Sequence, residues 1–198
     1  MRVAKLVALT SIALSILTGC ASTPLTPIYV SGLLSAPSGV AGTKRLSTSF
    51  SESTVAGNTK IIVPDLFVIR ECNGVQCAEG AVKTTVVVAV EHVDQHKAKV
   101  QVTVRGDIGA SQTLKSQTPV STMETTRSVD NGVPVITDQF SQAREATIPL
   151  GQARQIRLPH DLRAQICIAR SVNGMPDGSC NFLPLQMNEG IESSTPLL

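Results

Sequence analysis

An all-β domain is the fold this sequence predicts: an antiparallel β-sandwich of Ig-like type behind an N-terminal leader and a flexible linker. Three observations predict it. Residues 97–105 alternate strictly between apolar and polar side chains, the period-two pattern of a half-buried strand. No window of the domain shows a helical period. Short β-branched runs are separated by frequent turn residues, which suits a sandwich better than a parallel sheet. The claim concerns architecture, because the chain has no Trp and so lacks the Cys–Trp–Cys spacing of immunoglobulin domains.

Residues 1–19 open with Arg2 and Lys5 and continue as an apolar run from Leu6 to Leu17. A bilayer-spanning helix needs roughly 20 apolar residues. A positive start and a shorter apolar stretch read as a secretory signal peptide that is removed. Residues 20–59 are rich in Ser, Thr, Gly, Pro and Ala and read as a linker. A flexible tether of about 35 residues has a reach of roughly 30–35 Å. Two patches stand out in it, Ile28-Tyr29-Val30 and Leu33-Leu34. They are expected to dock as a strand, with a partner's footprint as the alternative.

The domain is expected over residues 60–187, with a frayed tail over 188–198. Residues 61–70 form a β-branched run broken by Pro64. Proline removes a ladder donor, so this is an edge strand or two short strands meeting at a bend. Residues 83–93 and 97–105 flank Asp94-Gln95-His96 and predict a β-hairpin. The first of these strands is apolar on both faces and should be central.

Residues 106–142 are polar and weakly periodic. Asp130-Asn131-Gly132 is a strong turn signal and predicts a hairpin of residues 119–129 and 133–140. This stretch reads either as a projecting arm bearing Met123, Ile136 and Phe140 or as a long loop. Strand character returns at 146–150, 155–158 and 163–170, with Pro159-His160-Asp161 as a turn and 172–179 as a loop.

Charge excludes several partners. The chain carries 17 basic and 15 acidic residues, and loss of Arg2 and Lys5 with the leader leaves 15 against 15. A neutral surface offers no footprint for nucleic acid. One Tyr and four Phe leave few aromatic platforms for bases or sugars.

The leader ends in Leu17-Thr18-Gly19-Cys20. This resembles the lipobox of bacterial lipoproteins. The resemblance covers residues 1–21 and implies that Cys20 carries diacylglycerol, that the chain is cut before it, and that the new amine is acylated, with palmitate expected. Ala21, where enterobacterial-type lipoproteins retained in the inner membrane carry Asp, favours the outer membrane facing the periplasm, with the cell surface as the other location open to it. The anchor is a covalent lipid on Cys20; no other cofactor is expected.

The remaining cysteines are Cys72, Cys77, Cys167 and Cys180. An even number in an exported chain reads as two disulfides. Four cysteines allow three pairings. Cys72–Cys77 and Cys167–Cys180 are favoured, since each brackets an Asn-Gly loop.

No motif names a reaction. Gly-x-Ser-x-Gly, Ser-x-x-Lys, Gly-Lys and His-Glu-x-x-His are all missing, and the chain reads as a non-enzyme. The weak metal candidates are His92 and His96, with Glu91 and Asp94 beside them. Turn chemistry is the simpler explanation of that cluster. His160-Asp161 is a weak candidate for two members of a triad. In layout, lipobox then linker then small β-domain, the chain is similar to pilotins and to the outer-membrane lipoprotein of type VI secretion. That likeness implies an assembly or accessory subunit that docks on a secretion- or pilus-type envelope complex. The alternative is a ligand-binding lipoprotein facing the periplasm.

Overall fold

The computed structural model describes residues 27–37, 46–117, 120–177, 180 and 182. The leader, Cys20 and the 188–198 tail lie outside the described residues. The described chain is all-β, and its strands pair antiparallel in two facing sheets plus a two-stranded ribbon. Among the described residues no helix is long and apolar enough to cross a membrane.

The first correction concerns where the fold begins. The segment read as linker contains two strands, β1 (Ile28–Ala36) and β2 (Leu46–Thr54). β1 lies inside the first sheet, in the order β10-β11-β1-β2, with β10 at Ala153–Arg157 and β11 at Arg163–Val172. The domain therefore starts at Ile28 rather than near residue 60. The two patches seen in the sequence are one strand, whose Ile28, Val30, Leu34 and Ala36 face the core.

The second sheet has the order β3-β5-β6-β9. Its members are β3 (Thr59–Ile62), β5 (Gln76–Val93), β6 (Lys97–Gly109) and β9 (Asp138–Pro149). β4 (Phe67–Asn73) shares β5 with β3. The run holding Pro64 is thus two short strands on the same edge of β5, separated by residues 63–66. The predicted hairpin is β5–β6, paired through Val86↔Val104, Val88↔Val102 and Val90↔Val100. These valines are buried, as alternation requires, and meet Ile166 and Ile168 of the first sheet in one aliphatic cluster. Each such side chain contributes about 1.5–3 kcal/mol when fully buried. The cluster lies between the two sheets.

Two edge strands are locked by the same device. Gly32 of β1 pairs with Phe50 of β2, and Gly106 of β6 pairs with Phe140 of β9. Both glycines occupy core-facing positions, and in each case an added Cβ would overlap the phenylalanine ring. The missing side chain leaves a slot, and the ring of the edge strand lies across it, against the core.

The described residues of the 106–142 region form strands, but not as the turn signal suggested. β7 (Ser111–Gln117) pairs with β8 (Thr122–Ser128) in a separate ribbon. Residues 133–140 do not pair with β8. Asp130-Asn131-Gly132 does form a turn, with Val133 N–H donating to Asp130 O at 3.3 Å and Gly132 at φ 86°. It closes the return from the ribbon into β9. A two-residue strand, β12 (Met175–Pro176), folds back on β11 within the stretch read as loop.

Both disulfides join the favoured partners, Cys72–Cys77 and Cys167–Cys180. The first links a directly opposed pair at the tip of the β4–β5 hairpin. Chain entropy gives about 2 kcal/mol for the shorter loop and about 3 kcal/mol for the longer one.

Candidate functional site

One end of the second sheet gathers most of the features that suit contact with another molecule. β6 stops at Gly109, opposite Ala81, while β5 continues for five more residues to Gln76. There β4 and β5 form a disulfide-closed hairpin whose tip residue, Val75, is fully exposed. The β7–β8 ribbon starts at the same end and packs beside β4 and β5, without joining their hydrogen-bond ladder.

The ribbon is held by a ladder of polar pairs on one face. Thr113 and Thr126 hydroxyls are 3.0 Å apart, Ser128 donates to Ser111 at 3.0 Å, and Lys115 meets Glu124 at 3.3 Å. The opposite face carries Leu114 and Met123. Every residue of β8 is exposed, and Met123 keeps 67% of its surface open. Val120 and Val135 add exposed apolar surface.

The three partner candidates now separate. Met123 is available. Ile136 and Phe140 are not: both pack on the core, Phe140 over Gly106. Ile136 also fastens the connector from the ribbon, donating its N–H to Glu79 O at 2.7 Å, while Glu79 N–H donates to Pro134 O at 2.8 Å. They read as arm residues because both lie within a polar stretch, where an isolated apolar side chain has no visible partner.

The metal candidates are dispersed by turn geometry. The Asp94 carboxylate accepts the N–H groups of His96 and Lys97, both at 2.8 Å. Those bonds, that of His96 first, hold its pKa below 3.8. Glu91 pairs with Lys99 at 2.6 Å. A register shift separates His92 from Val90. Among the described residues no group of three or more His, Cys, Asp or Glu side chains is placed to hold a metal ion.

His160 meets two carboxylates from distant strands. Its Nδ1 lies 2.8 Å from Glu71 Oε1 and its Nε2 lies 2.9 Å from Asp138 Oδ2. With both ring nitrogens engaged by acids, neither is left to activate a nucleophile. The two acids sit on opposite sides of the ring and do not converge on one ion. Neither partner was visible in the sequence, being 89 and 22 residues away.

At the opposite end an open cleft of about 260 Å³ is lined by Gln95, His96, Leu150, Gly151, Arg170 and Asp177. Arg170 Nη2 donates to the carbonyls of Gln95 at 2.6 Å and Asp94 at 3.3 Å. It thereby ties the β5–β6 turn to β11.

No family model matches the chain, no curated protein matches it in sequence, and no solved structure matches its fold.

Proposed function

We propose that this chain is a lipid-anchored cell-envelope protein whose β-domain docks on an envelope complex, acting as an assembly or accessory subunit rather than an enzyme. One observation carries the docking part: the β7–β8 ribbon packs beside β4 and β5 without sharing their ladder, every residue of β8 is exposed, and among the described residues no strand pairs with either outer edge of the ribbon. A two-stranded hairpin is marginal by itself in water. An open edge presents a row of unpaired N–H and C=O groups, a template for a strand of another protein. Met123 and Leu114 on one face would give such a strand apolar contact.

Leu17-Thr18-Gly19-Cys20 supports the anchor, and Ala21 supports outer-membrane placement facing the periplasm. The protein partner would lie within reach of that membrane. A ligand-binding role would instead use the Arg170 cleft.

The test is to replace the ribbon with a turn. Ala110 and Val129 are joined at its root by a 2.9 Å backbone hydrogen bond, so a short Gly-Ser link can stand in for residues 111–128. Excision must stop there. A cut reaching residue 142 would remove part of β9, an edge strand paired with β6 from Asp138 onward. The trimmed protein is expected to unfold at nearly the same denaturant midpoint and to lose partner capture from solubilised envelopes by about tenfold or more, the equivalent of about 1.4 kcal/mol. Full capture by the trimmed protein would overturn the role of the ribbon.

A further inference from the structure

We propose that His160 is a proton-operated clasp: as an imidazolium it binds the β10–β11 turn to Glu71 of β4 and Asp138 of β9, and losing the proton releases the ribbon-bearing end of the domain.

The geometry requires the proton. Ionised carboxylates only accept hydrogen bonds, so both ring nitrogens must donate to make both contacts, and only the charged ring has two N–H groups. The distances, 2.8 Å and 2.9 Å, are those of charge-assisted bonds. The imidazole is 19% exposed, while the Glu71 and Asp138 side chains are 44% and 41% exposed, so solvent reaches the acid side of each bond. A neutral ring turns one lone pair toward a carboxylate oxygen, and that bond becomes a repulsion.

Other charges nearby are paired elsewhere. Arg70 faces Glu79 at 3.8 Å, and Arg163 faces Asp161 at 3.6 Å. The acids that act on the ring are Glu71 and Asp138. Burial by itself would lower the histidine's pKa; the bonds to Asp138 and Glu71 and their charges outweigh it, and the net shift is upward from 6.5. Asp138 is held below 3.8, chiefly by His160 and then by the Gln139 N–H.

The signs define a window. A raised histidine stabilises below its unfolded pKa and loses this effect as pH rises through the folded one. A depressed aspartate stabilises above its unfolded pKa and fails as pH falls through its folded value. The His160–Asp138 bond is therefore closed from below 3.8 to above 6.5, and the clasp opens on the alkaline side as His160 loses its proton. Two features make opening matter. His160 and Asp161 hold left-handed backbone, at φ 58° and 52°, which non-glycine residues keep only when their surroundings impose it. Asp138 follows directly on the connector fastened at Glu79. The clasp stands on this geometry whether or not the ribbon docks.

The experiment is an NMR titration of the purified full-length protein with amide exchange followed in parallel. His160 is expected to titrate above 6.5 with both ring nitrogens protonated below its midpoint. Exchange protection at Glu79 and Ile136, corrected for intrinsic rate, should fall about tenfold between roughly pH 5.5 and roughly pH 8.5. His160→Gln should show the lower protection throughout. A midpoint at or below 6.5, or equal pH dependence in wild type and variant, would overturn the clasp. Asp138→Asn gives a second route: it should lower the His160 midpoint, and an unchanged midpoint counts against the proposal.

Discussion

Gly106→Ala is expected to destabilise the domain by about 1–3 kcal/mol, the usual cost of overpacking a filled core. The new methyl group would occupy the volume of the Phe140 ring. That ring closes the core at the β9 edge, so it cannot move out without exposing apolar surface. The effect should appear as a lower denaturant midpoint with little change in slope. Phe140→Leu removes the obstruction. Combined with Gly106→Ala it should cost less than the two single changes summed, because residues in contact couple by about 0.5–3 kcal/mol. Strict additivity would show that ring and glycine do not act together. Gly32 and Phe50 of β1 and β2 should behave alike.

Cys20→Ala should have the largest effect on location. Each buried methylene of an acyl chain contributes about 0.8 kcal/mol to membrane binding, and one chain holds only reversibly where several hold firmly. Under the proposed anchor, removing the thiol should remove the whole set and move the protein from the membrane pellet to the soluble fraction. The folded domain should be unaffected, since none of its described strands begins before Ile28. A variant that stays in the pellet would contradict lipid anchoring through Cys20.

The parts of the fold legible in sequence were those whose burial repeats locally. β6 alternates because one face meets the core and the other meets water, with Ala98, Val100, Val102 and Val104 buried. Pro64 marked the interruption between β3 and β4 for a local reason, its missing donor. The cysteine pairs could be favoured because each lies close in sequence around an Asn-Gly. β2 was illegible for the converse reason. It is an edge strand on which only Thr48, Phe50 and Thr54 are buried or half-buried and the rest is exposed, so composition resembles a linker although the backbone is paired along its length.

Turn chemistry marked a reversal at Asp130-Asn131-Gly132 but not which strands it joins. Local φ preference sets the turn, whereas pairing depends on what competes for each strand. Residues 138–149 find a long partner in β6, and β8 is left to β7. The His160 clasp depends on three elements that meet only in the folded chain, and no spacing announces it. What the sequence did offer was a histidine in a turn; its partners needed topology.

The central claim is that the ribbon engages an envelope protein. The most direct measurement places a photo-crosslinking amino acid at Met123, which is 67% exposed, and irradiates intact cells. The same probe at Lys99, an exposed position on β6 far along the sheet from the ribbon, serves as control. The account predicts one discrete envelope protein crosslinked from Met123 and absent from Lys99. No adduct at Met123, or the same adduct from both positions, would contradict it.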